Sequence, residues 1–265
     1  MIRLKTPITY YGGKQKMLPY LLAKKPKEYR LYNEVFCGGA ALFFASEPAE
    51  IEVLNDTNKE LINFYRVVQT RYVELEKLIA VTLHSRSLHR DADIIYNAPH
   101  LFDEVRRAWA VWVLSSQSFS ARLNGSWGFD RSENRTSKLI QAKKERFTIE
   151  LAERLQNVQL ESADAIYVVQ SRDAVDTFHY VDPPYIDSDC GHYDGYTADD
   201  FERLLKTLGS VKGKFLLSSY PGELLNRYCK KCGWHMWSIE QKVTVNAKSG
   251  YLKRKVEVLT ANYPV

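Results

Sequence analysis

Asp182-Pro183-Pro184-Tyr185, which follows the strand-like run Phe178-His179-Tyr180-Val181, has the plainest chemical content of any stretch in this 265-residue chain. Two consecutive prolines carry no backbone N–H, so the turn offers a carboxylate and carbonyl acceptors but almost no donors. Such a turn suits a ligand that presents an amino group. The Tyr185 ring adds a flat apolar face with a polar tip, suited to stacking on a planar heterocycle whose exocyclic amine Asp182 and the Pro183 carbonyl would hold. Read alone, the same four residues more readily serve only to end a strand and pack a tyrosine, so their meaning depends on the rest of the chain.

Three further stretches have residue types suited to a ligand. Tyr10-Tyr11-Gly12-Gly13-Lys14 places two aromatics and a cation around a Gly-Gly turn, where the backbone can approach a ligand and Lys14 can pair with a carboxylate. A surface turn with a solvated lysine is the competing reading. Cys37-Gly38-Gly39-Ala40-Ala41, between the expected strand Tyr32–Phe36 and the apolar Leu42-Phe43-Phe44, makes the strand, small-residue turn and helix start of a nucleotide-binding unit. It lacks the Gly-x-Gly-x-x-Gly spacing of a dinucleotide site. Asp56 follows the expected strand Ile51–Leu54 at about the offset where an acidic residue bonds ribose hydroxyls. It also precedes Thr57-x-x-Glu60, a capping box that would make it a helix-start residue only. Asp164 stands just beyond another expected strand, Val158–Leu160, and is either a ligand group or a solvated loop residue.

A different chemistry occupies the middle of the chain. From Ser115 to Lys138, Arg122, Asn124, Arg131, Arg135 and Lys138 interleave with Phe119, Trp127 and Phe129. Phosphate contacts, base-edge donors and stacking groups in one stretch fit a nucleic-acid surface, and the length and aromatic content exceed what a connector needs. The net charge of +5 agrees with a polyanionic partner without requiring one.

The elements that must hold these groups follow a strand–helix rhythm to about residue 81, lose it, and resume it from residue 158. Leu61, Tyr65, Val68, Tyr72, Leu75 and Ile79 predict one long helix, while residues 82–100 are polar and mixed. Val105, Trp109, Trp112 and Val113 predict a helix whose tryptophans pack in the core. Thr197 to Asp200 caps another helix, a Gly- and Tyr-containing loop from Gly191 to Tyr196 is placed to fold over a ligand, and two final strands are expected as an antiparallel pair at the sheet edge. Hydrophobic residues at 45% and charged residues at 26% describe a globular chain. No run is apolar enough to span a bilayer and the amino terminus lacks a signal-peptide core, so a cytoplasmic location is expected. The four cysteines include only one Cys-x-x-Cys pair, and no metal site is expected.

Taken together, Tyr10 to Lys14, Phe36 to Ala40, Asn55-Asp56 and Asp182 to Tyr185 resemble, in content and order, the DNA adenine N6-methyltransferases of the Dam-like (D12) class. The resemblance implies a Rossmann-like α/β domain with a mixed, mostly parallel sheet and an antiparallel edge strand, formed by residues 1–81 and 158–265. An inserted target-recognition domain would occupy residues 82–157. It also implies S-adenosylmethionine as cofactor, with Tyr10, Lys14, Phe36, Gly38, Gly39, Asp56, Asp164 and Asp182 around it, and Asp182, Pro183, Pro184 and Tyr185 at the reacting amine. Arg122, Asn124, Trp127, Arg131, Arg135 and Lys138 are the residues expected to contact DNA. Tyr10 replaces the tryptophan common in the amino-terminal motif, and Ala40 stands where many relatives have glycine. Ser118 to Gly125 only loosely resembles the recognition hairpin of the GATC-specific members.

The expected reaction is transfer of a methyl group to N6 of an adenine flipped out of double-stranded DNA, with no metal required and a restriction endonuclease of the same host as a candidate partner. N4 of cytosine makes the same demands on the acceptor turn, RNA is a rival substrate, and a catalytically silent DNA-binding protein would keep the same fold.

Overall fold

The computed structural model describes residues 4–185, 196–242 and 254–264. Residues 191–195 of the expected covering loop lie outside the described residues, as do Cys190 and most of the basic stretch between the last two strands. In chain order the elements are α1 (Leu18–Lys24), β1 (Leu31–Glu34), α2 (Ala41–Ala45), β2 (Ile51–Asn55), α3 (Lys59–Thr70), α4 (Tyr72–Val81), α5 (Arg86–Asn97) and α6 (Glu104–Gln117). There follow α7 (Arg135–Glu145), α8 (Ile149–Leu155), β3 (Gln159–Glu161), α9 (Ala165–Arg172), β4 (Thr177–Val181), α10 (Ala198–Leu208), β5 (Lys214–Ser219), α11 (Glu223–Cys232), β6 (His235–Lys242) and β7 (Arg254–Ala261). The described strands form a seven-stranded sheet in the order β3-β2-β1-β4-β5-β7-β6. This is the mixed, mostly parallel Rossmann-like arrangement expected, with β6 and β7 antiparallel at the edge.

Two compact units divide the chain, one of Met1–Leu22 and Cys37–Ala163, the other of Ala23–Phe36 and Asp164–Val265. In the first, β2 pairs with β3 in parallel and α3 lays Leu61, Phe64, Tyr65, Val67 and Val68 into the core. The single helix expected from residue 61 to 79 is two helices, because Arg71 leaves helical geometry (φ −137°, ψ 35°) while its guanidinium forks to Glu74 and Glu104. Helix α3 begins at Lys59 under an Asn58 cap, whose side chain accepts from the Glu60 and Leu61 amides, so the Thr57–Glu60 capping box does not form. Glu60 turns instead to Arg107 on α6, at 2.6 Å. The stretch that reads as polar and mixed contains α5, whose buried residues His89, Ala92 and Ile95 recur at three-residue intervals on one face. Trp112 is fully buried, as expected, and the Trp109 indole donates to Thr82 at 2.7 Å.

In the second unit β4 pairs in parallel with both β1 and β5, and every residue of β1 and β4 is buried. A strand covered on both faces reads as a near-continuous apolar run, and Phe178 to Val181 departs from this only at His179, whose Nδ1 lies 3.0 Å from the Asn33 amide nitrogen. Val181, Phe215, Leu217 and Val258 of the sheet pack with Ala165 and Val169 of α9, Leu204, Leu205 and Leu208 of α10, and Leu225 of α11. Each such side chain contributes roughly 1.5–3 kcal/mol by leaving water, which fixes the ends of β4 and β5 firmly. The Thr197–Asp200 capping box on α10 forms as expected.

Candidate active site

Because β1 and β4 are parallel with Glu34 opposite Tyr180, Phe36 and Asp182 leave the carboxyl ends of neighbouring strands two residues later in the same register. Ligands of open α/β sheets bind beyond such ends. Asp182 is half-buried, Pro183 is buried, and Tyr185 is half-buried with its hydroxyl donating to Asp182 Oδ1 at 3.2 Å. The Tyr185 ring meets Tyr220, just past β5, edge to face at 4.5 Å. Burial, and then the Asp182 and Glu257 carboxylates, hold the Tyr185 phenol well above its ordinary range, so it remains a neutral donor. Tyr180, whose hydroxyl lies 3.1 Å from that of Ser218, is likewise held neutral by burial and then by Asp182. Phe36 packs edge-on against Tyr196 at 6.4 Å.

A second group of expected residues comes together in the first unit. Gly38 (φ +46°) donates its amide to Asp56 Oδ2 at 3.0 Å, and its carbonyl accepts from Tyr65 at 2.7 Å. The Tyr10 side chain lies against this turn. A Cβ on Gly38 would come within 3.0 Å of the Tyr10 ring, and one on Gly39 within 3.2 Å of Tyr10 Cβ. Gly38 is thus favoured both by its left-handed backbone and by its close approach to Tyr10, and Gly39 by close approach alone. Asp56 is 8% exposed and also accepts from the Asn58 amide at 2.9 Å. Burial raises its carboxyl pKa, and the two amides oppose that shift. Lys14 is buried with Nζ donating to the Gly12 carbonyl at 3.1 Å, inside a turn closed by Gly13 N–H to Tyr10 O.

Ala40, the position where many relatives have glycine, sits in the left-handed region (φ 50°, ψ 43°). A Cβ there is strained by about 1–2 kcal/mol, partly offset by the entropy that glycine loses on folding. Ala40→Gly is therefore expected to stabilise the fold by up to about 1 kcal/mol, read as a higher midpoint in denaturant unfolding.

Asp164 is exposed and caps α9, accepting from the Ile166 and Tyr167 amides at 2.9 and 3.2 Å. The expected DNA-contacting residues divide into two groups. Arg122 is half-buried, its guanidinium 4.6 Å from the Tyr11 ring centroid, while Asn124 and Arg131 are exposed. The Trp127 ring stacks on Phe129 at 5.5 Å under the Arg86 guanidinium, so it is a packed wall and not a free platform. Arg135 and Lys138, expected in a loop, are exposed on α7, and Arg135 pairs with Glu133. His84, Trp127 and Phe129, with Asp130 to Asn134, line a surface depression of about 370 Å³.

Tyr65, which carries the glycine turn, and Tyr220, which braces Tyr185, did not stand out in the sequence. Tyr65 follows helical periodicity and reads as core, and Tyr220 closes a buried strand. Each acts through a partner distant in sequence. Among the described residues no cluster of His, Cys, Asp or Glu suits a metal ion, and no helix is long and apolar enough to cross a membrane.

Comparison with known proteins bears on the same residues. Positions 10–245 match the model of the D12 class N6 adenine-specific DNA methyltransferases. The chain is 30% identical over 284 aligned positions to the type II methyltransferase M1.LlaDCHI of Lactococcus lactis subsp. cremoris, covering 99% of this chain and 96% of that protein. It is also 25% identical over 205 positions to the modification methylase StsI of Streptococcus sanguinis, covering 72% of this chain and 30% of the relative. With the acceptor turn after β4, the glycine turn braced by Asp56 and a match that runs through both, the chain belongs to the D12 class of N6 adenine-specific DNA methyltransferases and catalyses site-specific adenine methylation of DNA.

Proposed function

We propose that the methyl donor is S-adenosylmethionine and that the acceptor is an adenine rotated out of double-stranded DNA onto the Tyr185 ring. The observation that carries this reading is the donor-poor turn at the end of β4, with the Asp182 carboxylate held by the Tyr185 hydroxyl at 3.2 Å. Adenine N6 is a poor nucleophile because its lone pair is delocalised into the ring. Acceptors at Asp182 and at the Pro183 carbonyl draw the amine hydrogens out of that plane, orient the nitrogen, and favour the positive charge that reaches it in the transition state. S-adenosylmethionine supplies an activated methyl group and needs no metal.

The residues of the glycine turn fit that donor. A buried carboxylate whose ionisation burial disfavours, as at Asp56, suits charge-assisted bonds to ribose hydroxyls. Tyr10, Lys14 and Asp182 line the cofactor with it, Phe36 and the Gly38-Gly39 turn flank the methionine portion, and Asp164 lies near the adenine. Residues 82–157 act as the target-recognition domain, with Arg122, Asn124, Trp127, Arg131, Arg135 and Lys138 at the DNA. The likeness to proteins named as a type II methyltransferase and a modification methylase supports a cytoplasmic role in protecting host DNA against a cognate endonuclease.

Calorimetry with S-adenosylmethionine tests the donor. A duplex carrying 2-aminopurine at the target position tests rotation, because unstacking raises its fluorescence. Modification-sensitive sequencing of DNA from cells expressing the protein supplies the site. No heat with the cofactor, or unchanged fluorescence on a duplex that is methylated, overturns the corresponding part. Neutralising Arg131, Arg135 and Lys138 is expected to weaken DNA binding and to flatten its salt dependence by about one slope unit for each phosphate no longer neutralised. An identical slope across a salt series would place those residues away from DNA.

A further inference from the structure

Gln117, the last residue of α6, is fully buried, and its amide is used on both sides. Oε1 accepts from the Ser85 amide at 3.2 Å and from the Trp127 indole at 3.3 Å, while Nε2 donates to the Leu83 carbonyl at 2.9 Å. Its backbone carbonyl accepts from the Gly128 amide at 2.7 Å. One side chain therefore joins the α4–α5 turn, the end of α6 and the returning limb of the loop that follows α6.

That loop has a defined and strained shape. Phe119 N–H bonds Ser126 O at 2.8 Å, and Ser118 bridges Trp127 in antiparallel fashion. Ser120 and Ala121 are consecutive left-handed residues, at φ 57° and 56°. Two such residues persist only where their surroundings over-determine them. Neighbouring bonds add to the clamp. His84 Nε2 donates to Gly128 O at 2.9 Å, and His89 Nε2 lies 2.8 Å from Ser118 Oγ. Packing alone would accept an apolar residue at position 117, but a side chain that both accepts and donates is needed to satisfy two donors and one acceptor at once, and the glutamine amide does so at any pH.

We propose that Gln117 is the positioning residue of the recognition loop, holding residues 118–128 in the conformation that reads DNA without touching DNA itself. The inference rests on the reading that this loop contacts DNA. Gln117→Met keeps the volume and leaves the Ser85 and Trp127 donors and the Leu83 carbonyl unsatisfied. In the full chain it is expected to raise KM for the methylated duplex about tenfold or more and to narrow the preference over duplexes with one base pair changed. The dissociation constant for S-adenosylmethionine should stay within about twofold. Gln117→Glu adds a signature that mere destabilisation lacks. As a neutral acid it can donate to Leu83 O and accept from both donors, as glutamine does, whereas as a carboxylate it opposes that carbonyl. Its KM relative to the parent is therefore expected to recover as pH falls from about 8.5 to about 6, a buried carboxyl titrating high.

The double variant Asn124→Ala, Arg131→Ala separates the two ideas. If it raises KM and Gln117→Met does not, the role of Gln117 is overturned and the DNA-facing loop stands. If neither moves KM, the loop is not a DNA surface and both readings fall. If Gln117→Met weakens cofactor and duplex binding alike and Gln117→Glu shows no recovery at low pH, Gln117 is a general structural residue and the inference is overturned.

Discussion

Asp182→Asn is expected to lower single-turnover methylation of an adenine-containing duplex at least roughly a hundredfold, with DNA affinity much less affected. The substitution keeps size and shape but replaces one carboxylate oxygen with a donor. In the chain as it stands Oδ1 already accepts from the Tyr185 hydroxyl at 3.2 Å. An asparagine that keeps this bond turns its NH2 toward the target amine, where donor faces donor. One that keeps an acceptor toward the amine turns the NH2 toward the Tyr185 hydroxyl. Either way the negative charge that favours a developing positive nitrogen is gone. Tyr185 separates stacking from bonding. Tyr185→Ala removes the ring and is expected to release the flipped base. Tyr185→Phe and Tyr185→Trp keep a stacking face and should retain much of the activity, with the loss from Tyr185→Phe about tenfold, the lower end of what one hydrogen bond to a charged group contributes. Parental rates in Asp182→Asn would refute the proposed chemistry without touching the fold.

Asp56→Ala is expected to weaken S-adenosylmethionine binding by about 1.5 to 3 kcal/mol, roughly a tenfold to 150-fold change, measured by calorimetry. The geometry adds a second consequence. Removing the carboxylate leaves the Gly38 and Asn58 amides without it, so the glycine turn loosens as well as losing a ligand group. The pH dependence carries a definite sign. Burial raises the Asp56 carboxyl above its ordinary value, so the folded protein favours the protonated form and the charge is held at a cost in stability that grows as pH rises through the folded pKa. Parental cofactor affinity should therefore decline with acidification before an ordinary aspartate would protonate, and Asp56→Asn should remove that decline. Unchanged affinity in Asp56→Ala would leave Asp56 as a brace of the turn alone.

Much of this protein was legible in one dimension because its information is local. The donor-poor turn at Asp182 to Tyr185 follows from the covalent chemistry of two prolines, and the Gly38-Gly39 turn from the left-handed backbone that glycine adopts without strain, as at Gly38. The fully buried strands and the Thr197–Asp200 cap also announce themselves through short-range pattern. What the sequence misassigned has several causes. Asn58, itself a favoured cap, took the place of the expected capping box, while Asp56 reaches back 18 residues to the Gly38 amide, a contact no local motif encodes. Arg71 ended a helix that periodicity would continue, through a partner 33 residues away. Helix α5 was passed over because most of its residues are polar, although His89, Ala92 and Ile95 fall on one helical face. Residue types and their order thus determined the reaction class and the acceptor turn. Only tertiary structure decided which carboxylate braces the glycine turn, that Trp127 is a wall rather than a platform, and that Gln117 ties the recognition loop to its base, because each depends on hydrogen bonds and ring contacts between segments that meet only when the chain has folded.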